Sequence, residues 1–273
     1  MCLAVFALDA HPLYSTVIAA NRDEHHARDA VRAQWWSEGW LGGRDLRGGG
    51  TWLGITRSGR WAFLTNVREP SRHDPDAPTR GALVTTVLTA VAAPMDTLRE
   101  LALTAGNYNG FNLLVGEDGD AAWLSNRAAE PRPLGPGIHG ISNAALDTPW
   151  PKVVATRQAV DAWCRSGASD TTALFDALAS RDIAPDDRLP RTGVPLERER
   201  WLSAAFIVSP EYGTRSSTVV LIGRDGVASF EERSFDAGGQ AVDVATHRFT
   251  LVAGPAPRLS GRAPSPGEEF RLR

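Results

Sequence analysis

Residues 2–24 read CLAVFALDAHPLYSTVIAANRDE, and this stretch decides how the rest of the chain is organised. Residues 3–8 and 14–20 are β-rich and are separated by the turn formers of residues 9–12, the pattern of a hairpin that begins at the first residues of the chain. Such a hairpin returns the end of its second strand to the start of its first. Topology alone therefore predicts that Cys2 and the tetrapeptide Asn21-Arg22-Asp23-Glu24 lie together. Successive strand residues point to opposite faces, so Asn21 and Asp23 are expected on one side and Arg22 and Glu24 on the other. If Met1 is removed, Cys2 carries a thiol and a free α-amine on one residue. That amine titrates at about 8, low enough to act as the base that activates its own side chain.

Outward from the hairpin, residues 51–56 and 61–66 read as a second pair of strands around Ser58-Gly59, after the glycine-rich segment at residues 42–50. Residues 71–78 read as a loop. The apolar period then becomes helical over 81–91 and 97–103, with Pro94 between them. Strands are expected again at 111–115, 121–124 and 139–142, and helices at 151–164, where proline suits the first position, and 170–179. Residues 181–200 read as a polar connection, followed by strands at 202–208, 218–222 and 227–230. Pairs of helices between blocks of hairpins exclude a simple alternating parallel sheet. The order predicts an α+β fold: a four-layer α/β/β/α sandwich of two antiparallel sheets. It forms one domain over residues 1–250, with a loosely ordered proline-bearing tail at 251–273.

Composition bounds the function. A chain of 273 residues with a net charge of −3 gives no electrostatic reason to bind nucleic acid. Two cysteines, Cys2 and Cys164, are too few for a disulfide framework. No window reaches the roughly 18 apolar residues of a membrane helix, so no integral membrane segment is expected. No basic residue precedes Arg22, and Asp9, His11 and Pro12 interrupt the first apolar stretch, which argues against a secretory signal and for a cytoplasmic protein. Lys152 is the only lysine. It follows Trp150-Pro151 at a helix start, and its being the one lysine reads as codon bias rather than as the mark of a Schiff-base nucleophile.

Asn66 and Asn143 end apolar strands, where an amide N–H suits a developing oxyanion, whereas Asn112 in mid-strand reads as structural. His25-His26 beside Asp23 and Glu24 is not a metal site, because adjacent residues on an extended chain diverge. Gly48-Gly49-Gly50 lacks the lysine and hydroxyl of a phosphate loop, and there is no Gly-x-Ser-x-Gly elbow.

Met1-Cys2, Asn21-Arg22-Asp23-Glu24, Gly42-Gly43-Arg44-Asp45, Gly49-Gly50-Thr51-Trp52, Thr65-Asn66, Ile141-Ser142-Asn143 and the segment from Tyr212 to Thr218 together resemble the NRDE family, the family of the transport and Golgi organisation protein 2. That family is similar to N-terminal-nucleophile hydrolases and, more distantly, to bile-salt hydrolases and penicillin V acylases. The resemblance implies Cys2 as nucleophile, Asn143 as oxyanion donor, Asn66 as a weaker candidate facing substrate, and Arg215 as a late supporting arginine. The acylases space their assisting Arg and Asp three apart, so here either Arg22 with Asp23 or Asn21 with Glu24 takes those places.

Two functions are expected. One is hydrolysis of a C–N amide or acyl thioester through an acyl-Cys2 intermediate, acting on a small molecule and requiring no cofactor. The alternative, implied by the resemblance, is a non-catalytic carrier of haem, acyl-CoA or lipid on the same scaffold, with the tryptophans Trp35, Trp36 and Trp40 available to line an apolar cleft.

Overall fold

The computed structural model describes residues 2–252, with Cys2 described by its backbone alone. In chain order the elements are β1 (Cys2–Leu8), β2 (Tyr14–His25), β3 (Ala30–Trp35), β4 (Trp40–Asp45), β5 (Leu53–Thr56), β6 (Trp61–Asn66), α1 (Gly81–Thr89) and α2 (Pro94–Ala102). There follow β7 (Phe111–Glu117), β8 (Asp120–Ser125), β9 (Arg132–Leu134), β10 (Gly137–Ile141), α3 (Pro151–Ser166), α4 (Thr172–Leu178), α5 (Leu196–Leu202), β11 (Tyr212–Gly223), β12 (Val227–Phe235) and β13 (Ala241–Thr250). Two antiparallel sheets result. One has six strands in the order β10-β1-β2-β11-β12-β13, and the other has seven, β3 to β9 in sequence order.

Apolar side chains divide into layers that show how these sheets stack. Phe6, Ile18, Ile55, Phe63, Val220 and Phe230 fill the space between the sheets. Leu83, Val84 and Leu98 of α1 and α2 pack on the outer face of the seven-stranded sheet. Val160, Trp163, Leu174 and Phe175 of α3 and α4 cover the six-stranded one. Strands buried on both faces explain the continuous apolar runs of β1 and β7. The α/β/β/α sandwich is the architecture expected from the order of elements.

Several elements depart from the sequence reading. β3, β4, β9 and β13 were not expected as strands, and β4 was read as part of a glycine-rich segment. A Cβ on Gly43 would sit 2.2 Å from the indole of Trp52, so glycine is used within β4 because a neighbouring ring packs directly on its backbone. The expected strand at 202–208 is absent. Residues 196–202 form α5, and the apolar run after it is buried without a ladder because two of its amides find partners outside any strand: Phe206 N donates to Ser180 O at 2.8 Å and Ile207 N to Thr214 Oγ1 at 2.9 Å. Of the expected C-terminal tail, Leu251 and Val252 are tied by their amides to Gly226 and Arg57, and 253–273 lie outside the described residues. Among the described residues no helix is long and apolar enough to cross a membrane.

Phe6 holds the inter-sheet layer together, with its ring edge-on to Phe63 at 5.6 Å and stacked on His139 at 5.2 Å. Phe6→Ala should lower stability by about 3–5 kcal/mol, read as a shift of the urea unfolding midpoint.

Candidate active site

β1 pairs with β2 so that Cys2 lies opposite Arg22 and Ala4 opposite Ala20. β2 in turn pairs with β11, Asn21 facing Ser217 and Asp23 facing Thr214. The tetrapeptide is therefore part of the last stretch of pairing in a central strand, β2. Asn21, Arg22 and Asp23 are all buried, and period-two alternation sends them into different layers.

Asn21 and Asp23 face the layer of α3 and α4. The Asn21 amide donates to Leu178 O and Ala205 O, each at 2.8 Å, and its oxygen accepts from Ser217 Oγ at 2.6 Å. Three bonds use this side chain to tie the end of α4 and the segment after α5 to the sheet. Asp23 Oδ1 accepts from Thr214 Oγ1 at 2.8 Å, and the Asp23 carbonyl accepts from Tyr212 Oη at 3.0 Å. Around Asp23 lie three more buried charges. Asp23, Lys152, Arg68 and Glu199 are 0, 4, 8 and 3 % exposed, two cations against two carboxylates. Arg68 Nη1 donates to Glu199 Oε2 at 2.5 Å and its guanidinium lies 4.8 Å over the Trp150 ring. Burial pushes the Asp23 carboxyl up from its ordinary value, and the charges of Lys152 and Arg68, with the Thr214 hydroxyl, act against that.

Arg22 faces the other way, between the sheets. Its guanidinium lies 4.3 Å over the ring of Trp52, the indole that Gly43 admits. Beside it opens a cleft of about 430 Å³ lined by Arg22, Glu24, Trp52, Asn66, His73 and Arg80. Glu24 accepts from the His25 amide and stands 3.8 Å from Arg28, which is itself bound to Asp45. Asn66 reaches this cleft. Asn143 does not line it: its amide donates to Asn66 O at 2.9 Å and its carbonyl accepts from Arg68 N at 2.8 Å. Asn112 is structural, its amide donating to Ala144 O and Thr65 Oγ1.

Arg215 is the extra residue of a β-bulge between Thr214 and Ser216, and its Nη1 donates to the carbonyls of His25 and His26 at 3.2 and 3.0 Å. It lines a second cleft, on the other side of Arg22, with Ser216 and Glu232. Glu232 is buried and accepts from Ala33 N at 2.7 Å and Thr218 Oγ1 at 3.3 Å; burial pushes its carboxyl up to about 7. The two histidines diverge, the His25 ring against Tyr212 and His26 Nε2 against Ser209 O. Trp35, Trp36 and Trp40 line neither cleft. Trp40 is buried under α1 and α2 with Trp36 against it, and Trp35 packs on Phe249.

The fold thus gathers Cys2 (by register), Arg22, Asp23, Glu24 and Asn66 at one strand-end site, with Asn143 behind it and Arg215 one bulge away. Lys152, Arg68, Glu199 and Glu232 were missed. Lys152 carried a usable signal, being the one lysine in a chain whose other basic side chains are arginine. Glu232 shares the parity of Phe230 and Ala228 in β12, which marks it as facing the core. Arg68 and Glu199 come from segments 131 residues apart, and nothing local in the sequence joins them.

A two-sheet sandwich with charged groups buried about the first residue of a central strand defines the class of this protein. The family model described as Transport and Golgi organisation 2 matches residues 1–237, and the chain belongs to that family. It is 36% identical to the bovine transport and Golgi organization protein 2 homolog and 34% identical to the human one, in each case over 92% of this chain and 99% of the relative. Identity to the Drosophila melanogaster transport and Golgi organization protein 2 is 28%, over 86% of this chain and 92% of the relative. Among solved structures, the C2A mutant of a conjugated bile acid hydrolase from Clostridium perfringens is similar with a TM-score of 0.49 and 8% identity, covering 92% of this chain and 98% of that one. A Caenorhabditis elegans ortholog of N-acylethanolamine-hydrolyzing acid amidase gives 0.41 and 12%, over 81% of this chain and 92% of that one.

Two stability measurements check the buried charges. Lys152→Met leaves a carboxylate without its nearby cation and should cost about 3–5 kcal/mol, while adding Asp23→Asn should recover part of that loss in a double-mutant cycle. Glu232 holds a proton in the folded state up to about pH 7, whereas its ordinary value is 4.5. The folded state therefore binds more protons in that window, and stability should fall as pH rises through it. Glu232→Gln should remove this slope from a plot of Tm against pH.

Proposed function

We propose that the protein is a cysteine hydrolase of the N-terminal-nucleophile type that cleaves a C–N amide or acyl thioester through an acyl-Cys2 intermediate. One observation carries this reading. Cys2 begins a central strand opposite Arg22, which lines a cleft that Asn66 also lines, while Asp23 is buried on the other face of the same strand. With Met1 removed, the Cys2 thiol gives its proton to the α-amine of the same residue and the sulfur attacks the carbonyl carbon. The C–N or C–S bond then breaks as the leaving group takes that proton. A water molecule deprotonated by the amine next cleaves the acyl-enzyme thioester and restores the thiol.

Roles follow from the layers. Arg22, between the sheets, favours the thiolate, and Asp23, on the face of Lys152, orients the amine. This assignment is preferred to Asn21 with Glu24 because the amide of Asn21 is already committed to three bonds. Asn66 is the better oxyanion donor, since it reaches the cleft, and Asn143 holds it by the backbone. The hydrolysis requires no cofactor, and a thiol nucleophile suits a reducing compartment such as the cytoplasm.

Intact mass should show mature protein beginning at Cys2. Iodoacetamide should add once, on Cys2, because Cys164 is buried with its thiol pushed up to about 11. Cys2→Ala should lose roughly a thousandfold or more of the turnover seen on a panel of acyl amides and acyl thioesters. Undiminished turnover by this variant, or retention of Met1 in mature protein, would refute the reading and leave carriage of haem, acyl-CoA or lipid as the function of the scaffold.

A further inference from the structure

Just inside the Cys2–Arg22 pair, the central strands carry small side chains. Two residues further in, Ala4 of β1 is registered against Ala20 of β2, and Ala20 against Thr218 of β11. Two residues further again come Phe6, Ile18 and Val220, paired in the same way and packed in the layer between the sheets. A strand advances about 3.4 Å per residue, so the small row lies about 7 Å inside the strand end, and the large row closes the layer beneath it.

The small row leaves a hollow of about 10 Å³ between the sheets. Its opposite wall is Leu53 and Phe63, paired across β5 and β6, with Thr65 beside them. Close-packed interiors hold few voids even of water size. This one adjoins the candidate site, because Arg22, Trp52 and Leu64 line both it and the cleft of about 430 Å³. It is a blind recess off that cleft, with the Arg22 guanidinium over the Trp52 ring where the two meet.

Recess and cleft differ in chemistry. The polar side chains of the two sheets around the recess are engaged elsewhere: Thr65 Oγ1 accepts from Asn112 Nδ2 at 3.2 Å, and Thr218 Oγ1 donates to Glu232 Oε2 at 3.3 Å. Asn21 is already committed to its three bonds. Hydrocarbon is what remains to receive a ligand, and an apolar void takes an apolar group in preference to water. The cleft, by contrast, has Arg47, His73, Asp74 and Asn109 in its wall. A leaving group must escape before water attacks the acyl-enzyme, and a blind recess gives it no way out. The acyl substituent stays on the sulfur until the second step. The recess therefore suits the acyl side of a substrate, and the open cleft suits the leaving group.

We propose that the recess at Ala4, Ala20 and Thr218 is an acyl pocket that selects an acyl group of about two or three carbons, carried on a larger polar amine or thiol. As a substrate class this rests on the hydrolase reading; as a binding site for a short apolar group it stands by itself. Further methylenes would be forced against Phe6, Ile18 and Phe63, of which Phe6 and Phe63 already meet edge to face at 5.6 Å. Ala20 is the specificity-determining position, since a larger side chain there fills the recess without touching the cleft wall.

The test is methyl NMR of the Cys2→Ala protein titrated with propionamide and with hexanamide into the tens of millimolar. Propionamide should give saturable shifts of the Ala4, Ala20 and Leu53 methyl signals, and hexanamide should bind roughly tenfold more weakly or leave them unmoved. Ala20→Val, a residue that strands favour, should abolish the propionamide response at Ala4 and Leu53 without lowering the thermal unfolding midpoint. Ala20→Gly, which deepens the recess, should shift the preference toward hexanamide. With the nucleophile present, acetyl and propionyl thioesters should exceed the hexanoyl thioester in kcat/KM by roughly tenfold or more. No saturable shift with propionamide, tighter binding of hexanamide than of propionamide, or a response unmoved by Ala20→Val would each overturn the proposal. A thioester preference rising toward hexanoyl would overturn the assignment of the recess to the acyl side. Since the titration uses protein without its nucleophile, absence of turnover on every acyl compound would end the hydrolase reading and leave the recess to be judged by NMR alone.

Discussion

A strand has two faces, and at the end of β2 both are buried. Everything at the candidate site depends on that constraint. Four consecutive polar residues, Asn21 to Glu24, cannot share one environment when alternate side chains enter different layers of the sandwich. Asn21 and Asp23 are satisfied by β11 and by the helical layer, while Arg22 is satisfied between the sheets by the face of Trp52. The strand thus works as a partition, with one set of charges held on each side of the position that Cys2 begins.

The partition is costly unless each side is nearly neutral, because buried charges are tolerated only when paired. On the helical side, Asp23 and Glu199 balance Lys152 and Arg68. Between the sheets, Arg28 is bound to Asp45 and Glu24 lies near it, while Glu232 relieves its own burial by holding a proton. Glycine has a part in this arrangement. Gly43 lets an indole lie against a strand, and that indole supports the arginine facing Cys2 across β1 and β2. A change at residue 43, remote in sequence, would therefore reach the site through Trp52.

The hairpin of β1 and β2, the paired helices and the sandwich order were legible because they rest on local periodicity. So was the meeting of Cys2 with the tetrapeptide Asn21-Arg22-Asp23-Glu24, since a hairpin returns the end of its second strand to the start of its first; the register that sets Cys2 opposite Arg22 came from the structure. The misses share a cause as well. β4 contains Gly42 and Gly43, which local propensity assigns to a turn, yet it is a buried strand because Leu53 and Trp52 pack onto its backbone. Residues 202–208 have the apolarity of a strand, but α5 ends at Leu202 and the amides of Phe206 and Ile207 find partners in Ser180 and Thr214, so no ladder forms.

The chain by itself determined the layer order, the strand that begins at Cys2 and the tetrapeptide beside it, because hydrophobic period and hairpin length act over a few residues. Tertiary structure alone decided which side chains of that tetrapeptide face the clefts, that Asn143 supports Asn66 by its backbone, and that Lys152, Arg68, Glu199 and Glu232 are buried at the site. Those outcomes depend on register between strands distant in sequence and on pairing of charges excluded from water, and neither is written in any local pattern of residues.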